Sequence, residues 1–147
     1  MATSATITAK CKDGKYRQIY CHYDGYIKGV GKTLFDHFQN QDKIEKLMEL
    51  GDISILAENI DCPDGHFFKN PIEGYTIAYG RDRGENNTEC FVDDSLIECG
   101  HNKNLKQYIN YFWDGKQWFV AWRYLSKGNL LSELFDTSTD NEVYDLR

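Results

Sequence analysis

The chain has 147 residues, the length of one ordinary domain, and is 41% hydrophobic and 14% aromatic, which excludes a disordered body. A domain of this size buries roughly two-thirds of its unfolded surface, enough for a core without staples. The net charge of −6 keeps the chain soluble, disfavours a broad clamp on duplex DNA and suits a basic partner.

Five cysteines, Cys11, Cys21, Cys62, Cys90 and Cys99, form no C-x-x-C and fit reduced thiols in a cytoplasm. The first residues, Met-Ala-Thr-Ser-Ala-Thr, lack the basic and apolar regions of a signal peptide. No run approaches the ~18 apolar residues of a membrane span. The expectation is a cytoplasmic protein without a membrane segment.

Residues 3–10 alternate, with Ile7 and Ala9 opposed to Thr6 and Thr8, as in a strand. Asp13-Gly14 signals a hairpin turn, and residues 16–23 form the return strand. On that strand Ile19, Cys21 and Tyr23 face one way, and Tyr20 and His22 the other. Asp24-Gly25 ends it. Residues 31–39 read as a helix with Leu34 and Phe38 on one face. Asn40 caps a second helix, Ile44, Leu47 and Met48 form its apolar stripe, and Gly51 ends it.

Residues 52–56 read as a helical turn or a strand edge, and residues 57–74 as a loop. Tyr75–Tyr79 predicts a strand, 80–84 a charged turn, and 89–92 the return strand. Asp94 or Ser95 would cap a short helix through Leu96 and Ile97. Residues 107–113 and 117–122 predict a hairpin around Asp114-Gly115. Residues 129–135 predict a last short helix. The sum is α+β: a single domain over 1–135, its mainly antiparallel sheet built from hairpins with two or more packed helices. The acidic tail 136–147 is expected to fray.

Four constellations carry chemistry. Gly29-Val30-Gly31-Lys32-Thr33 looks like the end of a phosphate-binding loop. Counting back from Gly31, however, the position that needs a first glycine holds Tyr26. The bland reading is a glycine-rich turn into a helix, where Lys32 and the helix start could hold an anion. His22 and Asp24 could exchange and orient a proton beside Tyr20, or serve simply as ligand contacts. Arg81-Asp82-Arg83 lies between Gly80 and Gly84. Its guanidiniums could grip a phosphate or carboxylate, or form a solvated turn that carries little core. Cys62/His66 and Cys99/His101 match zinc spacings poorly, so no metal and no cofactor are expected. Trp113, Trp118 and Trp122 could stack bases, and at this density read as core.

The stretches Ile-Tyr-Cys-His-Tyr-Asp-Gly-Tyr (19–26), Gly-Val-Gly-Lys-Thr-Leu (29–34), 43–54 and Ala-Tyr-Gly-Arg-Asp-Arg-Gly-Glu (78–85), with the aromatic hairpin, resemble a family of small uncharacterised proteins. These occur in phages, other mobile elements and bacteria. The family pattern often has Trp where this chain has Tyr23. The resemblance covers most of the chain up to about Trp122 and implies a setting of phage–host interaction, without assigning an activity.

Two functions follow. One is a non-enzymatic accessory protein that inhibits or sequesters a host or defence component. Its partner would be a protein or an anionic small ligand such as a nucleotide, and homo-oligomerisation stays open. The other is a small enzyme on a phosphate-containing ligand, with His22 and Asp24 moving protons and Arg81 and Arg83 holding the anion. In either case Tyr20, His22, Asp24, Lys32, Arg81, Asp82 and Arg83 are the candidate contacts. His22, Asp24, Arg81 and Arg83 are expected to converge on one surface.

Overall fold

The computed structural model describes residues 3–95, 109–122 and 129–130. Strands β1 (Ala5–Lys10) and β2 (Tyr16–Cys21) form the expected antiparallel hairpin, in register from Ala5 opposite Cys21 to Lys10 opposite Tyr16. Gly14 takes φ 85° in the turn, and Asp13 binds Arg17 through two guanidinium contacts of 2.9 and 3.1 Å. Arg17 holds the Asp13 carboxyl down at about 2.

The chain then makes a π-turn, Ile27–Gly31, and two helices, α1 (Lys32–His37) and α2 (Gln41–Leu50). The helix expected over 31–39 is thus shorter, and its first turn is wound wide. Asn40 caps α2 as predicted, its side chain accepting from the Lys43 N–H at 3.0 Å. Strand β3 (Ile53–Ile55) runs parallel to β2, and β4 (Ile77–Ala78) pairs antiparallel with β3.

Three expectations are corrected. The strand over 75–79 shrinks to β4, because Tyr79 opens a short helix, α3 (Tyr79–Arg83), where a turn was expected. Strand β5 (Phe91–Asp93) pairs with the first half of β2 rather than with β4. β2 offers that edge because β3 occupies only its far end, at Cys21. Residues 129–130 form a strand, β8 (Asn129–Leu130), against β7 instead of starting a helix. The helix expected after Asp94, the stretch 131–135 and the tail 136–147 lie outside the described residues.

β6 (Ile109–Trp113) and β7 (Trp118–Trp122) form the aromatic hairpin, with Gly115 at φ 105° in its turn. β6 joins β1 in parallel, giving the order β4-β3-β2-β1-β6-β7-β8. The sheet is mixed and mostly antiparallel, with helices on it, so the architecture is α+β as expected.

One face of the sheet carries Ile7, Ile19, Cys21, Ile109, Tyr111, Trp118 and Val120 into the core. Leu34, Phe38, Ile44, Leu47 and Met48 of the helices close it. Alternation on the strands and the 3–4 spacing on α2 put these residues there. Trp113 and Trp118 belong to this core, with ring centroids 5.4 Å apart. Their indole N–H groups donate to Gln41 Oε1 and to the Phe38 carbonyl, each at 2.7 Å. The reverse face carries buried polar groups. Thr6 bonds Asn110, and Gln18 Nε2 donates to Thr8 Oγ1 at 2.8 Å. Tyr20 sits next along that face, opposite Thr6.

Candidate functional site

The turn after β2 is held by close packing rather than shaped for a phosphate. Asp24 takes φ 58°, a left-handed conformation that Asp tolerates. Its carbonyl accepts the Val30 N–H at 2.8 Å, folding the chain back as the π-turn begins. A Cβ at Gly29 would lie 2.3 Å from that carbonyl oxygen. A Cβ at Gly25 would lie 2.7 Å from the Ser4 backbone, and one at Gly31 would lie 3.1 Å from the Tyr111 ring. The glycines that mimic a phosphate-binding loop are therefore contact glycines. Lys32 opens α1 and pairs with Asp36 one turn on, at 3.3 Å.

Backbone pairing with β3 continues past the end of β2: His22 N–H donates to Ile53 O at 3.1 Å and Tyr23 N–H to Ser54 O at 3.0 Å. The chain then swings into the left-handed Asp24. Tyr23, expected in the core, is instead 44% exposed, and its ring meets His22 edge-on at 4.5 Å. The Tyr20 hydroxyl lies 2.6 Å from His22 Nδ1. Burial pushes the Tyr20 phenol above its ordinary value, against a hydrogen bond from Ser4 that lowers it. The hydroxyl and Nδ1 share a hydrogen bond that fixes the two rings against each other. Asp24 is not the group that orients His22. Its carboxylate is approached by the Tyr26 hydroxyl at 3.4 Å.

The Y-G-R-D-R-G segment divides between inside and outside. The Asp82 side chain is fully covered. It accepts the Ala78 N–H at 2.8 Å at the start of α3 and receives the Arg81 Nε at 2.8 Å. His66 Nε2 lies 3.5 Å away. Burial opposes the charge on Asp82, but Arg81 and the Ala78 N–H outweigh it and hold the carboxyl below its ordinary value. Arg81 also donates to the carbonyls of Ile60 and Thr76, so its guanidinium ties the 57–76 loop to α3. Gly80 passes close to Thr88, and Gly84, at φ 75°, ends the helix. Arg83 is exposed and takes no part in this anchor's carbonyl bonds. Its guanidinium lies 4.2 Å over the Phe68 ring and 5.0 Å from the Tyr79 ring, and its Nε donates to Glu85 at 2.7 Å.

Tyr79 links the two motifs. Burial raises its phenol above the ordinary value, and Tyr20, Tyr23 and Arg83 are among its electrostatic neighbours. The Phe68 and Tyr79 rings are 5.6 Å apart. A continuous patch therefore runs Tyr20, His22, Tyr23, Tyr79, Phe68, Arg83. Of the expected site residues it gathers Tyr20, His22 and Arg83. Asp82 is covered within the loop anchor, Arg81 is partly exposed but bonded into it, and Asp24 and Lys32 are engaged with Tyr26 and Asp36. Sequence reasoning passed over Tyr79 and Phe68. Tyr79 was visible in principle, since it begins the same charged motif, but a strand reading gave it no role.

Half-buried Asp52 lies beneath the patch, accepting the Tyr20 N–H at 3.0 Å. Burial raises its carboxyl above the ordinary value, and no cation pairs with it among the described residues. His66 cannot pair with Cys62 as a metal ligand without breaking its present bonds: Nδ1 accepts from the Ile72 N–H at 3.0 Å and Nε2 donates to the Thr76 carbonyl at 3.2 Å. Cys99 and His101 lie outside the described residues, as does the side chain of Trp122. Among the described residues no helix is long and apolar enough to cross a membrane.

No family model, curated protein or solved structure matches the chain.

Proposed function

We propose that the chain is a non-enzymatic accessory protein of the phage or mobile-element kind, which inhibits or sequesters a host or defence protein. Its contact surface is the patch of Tyr20, His22, Tyr23, Tyr79, Phe68 and Arg83. One observation carries this reading: Tyr20 and His22 bond each other and Glu85 holds Arg83, while Tyr23 and Arg83 stand exposed among half-buried rings. Tyrosine and arginine held in place by their neighbours are what dominates binding energy at protein interfaces. The net charge of −6 and the resemblance to phage and mobile-element proteins support the same reading.

The enzyme reading asked Arg81 and Arg83 to grip an anion together. Arg81 is committed to Asp82, Ile60 and Thr76, which removes half of that grip. The test is affinity purification from bacterial cells, with mass spectrometry of co-purifying proteins and nucleotides. Tyr79→Ala and Arg83→Ala should each reduce capture of one protein by roughly tenfold, the scale of a contact worth just over 1 kcal/mol. Val92→Ala, on the exposed part of β5, should capture it undiminished. A bound nucleotide whose turnover depends on His22 would overturn the reading.

A further inference from the structure

Asp52 sits on the edge of β2 in the gap between β3, which pairs at Cys21, and β5, which pairs from Tyr16 to Gln18. In that gap its Oδ1 accepts the Tyr20 N–H at 3.0 Å. Its own N–H donates to the Thr88 carbonyl at 2.7 Å, and its carbonyl accepts the Tyr79 N–H at 3.2 Å. Asp52 is thereby fixed between Tyr20 and Tyr79, two members of the patch. The fold uses its side chain as an acceptor for one N–H, a task that asparagine performs without a charge. The charge itself opposes the fold. Burial raises the carboxyl, the Tyr20 N–H only partly offsets this, and Glu89 adds to it. No cation among the described residues pairs with Asp52. Arg17, on the adjoining strand, is held by Asp13, and Arg83, in the patch, by Glu85. A carboxylate is thus kept half-buried and without a cation where a neutral acceptor suffices.

We infer that Asp52 receives an arginine side chain of the protein partner, its guanidinium on the carboxylate and against the Tyr20 and Tyr79 rings. A guanidinium suits this position better than an ammonium. It is more weakly hydrated, its planar fork matches a carboxylate, and its face stacks on aromatic rings. Glu89, exposed and an electrostatic neighbour of Asp52, draws the same sign of charge. The net charge of −6 favours the approach of a basic surface. The inference rests on the binding reading above and adds the chemistry of the group that the patch recognises.

The test titrates the full chain with a blocked Gly-Arg-Gly peptide to millimolar concentrations, following the amide resonances of Tyr20, Asp52 and Tyr79. The control peptide carries citrulline, equal in shape and uncharged. Saturable shifts are expected with arginine, at least tenfold weaker binding with citrulline, and loss of binding in Asp52→Asn at a melting temperature no lower than that of the parent chain. Equal binding of citrulline, no saturable shift with arginine, unchanged binding by Asp52→Asn, or a lower melting temperature for that variant overturns the inference. In the capture experiment above, Asp52→Asn should lose at least tenfold. Undiminished capture by Asp52→Asn, with losses in Tyr79→Ala and Arg83→Ala, removes the arginine receptor and leaves the patch standing. Arginine binding that needs Asp52, with full capture by Tyr79→Ala and Arg83→Ala, keeps the receptor and removes the patch.

Discussion

The turn after β2 and the helix after β4 are built from the same materials, glycines beside charged and aromatic side chains, yet different atoms hold them. In the turn, backbone does the work: the Asp24 carbonyl, Gly25 against Ser4, Gly29 against Asp24. In the helix, side chains do it: the Asp82 carboxylate and the Arg81 guanidinium bind three backbone groups of the adjoining loop and strand, Ala78 N, Ile60 O and Thr76 O. Charge in a sequence motif is therefore not by itself a sign of a ligand. In this motif Asp82 and Arg81 position the loop, and Arg83 belongs to the displayed patch.

The comparison breaks most readily at Asp82. Asp82→Ala removes the covered carboxylate that holds Arg81 and the Ala78 N–H, and should cost about 2–4 kcal/mol, the scale of losing hydrogen bonds to a charged group. Chemical denaturation would show it as a lower midpoint. The same pair predicts acid sensitivity. The Asp82 carboxyl is held below its ordinary value, so its contribution is present above the unfolded value of about 3.9 and lost as pH falls through the folded one.

Next in size is Gly25→Ala, whose new Cβ would lie 2.8 Å from that of Ala5 and must displace backbone. A loss of about 1–3 kcal/mol is expected, the range for overpacking, read by thermal melting. Arg83→Ala should cost under about 1 kcal/mol, since an exposed guanidinium on rings is worth little to the fold. The smallest effect has the opposite sign. Asp52 has its carboxyl raised by burial, so its protonated form fits the fold better and stability falls as pH rises through that value. Asp52→Asn, which keeps the acceptor for Tyr20 N–H, should slightly raise the melting temperature at pH 7. Below about pH 3.5, beneath the ordinary aspartate value of about 3.9, the difference should vanish.

Much of the fold could be read from the sequence because local chemistry decides it. Asp13-Gly14 and Asp114-Gly115 mark the two hairpins, and Asn40 with the Ile44, Leu47, Met48 stripe marks α2. What could not be read is non-local. Nothing in residues 89–92 says that β2 keeps half an edge free for β5, and nothing in Tyr75–Tyr79 says that Asp82 will cap a helix at Ala78. The site was legible in part for the same reason. Strand parity placed Tyr20 and His22 together, whereas Tyr23 lies past the end of β2, where successive N–H groups bond Ile53 O and Ser54 O and the alternation is lost. The fate of Arg81 depended on carbonyls 21 and 5 residues away, a pairing that spacing does not encode.

Neighbouring arginines thus serve opposite ends, Arg81 the fold and Arg83 the surface. Melting curves of Arg81→Ala and Arg83→Ala, recorded side by side at pH 7, test it most directly. The predicted result is a fall of several degrees for Arg81→Ala, which leaves Asp82 buried without its cation, and a change of about a degree or two for Arg83→Ala. Equal small changes in both variants, or a larger fall for Arg83→Ala, would contradict it.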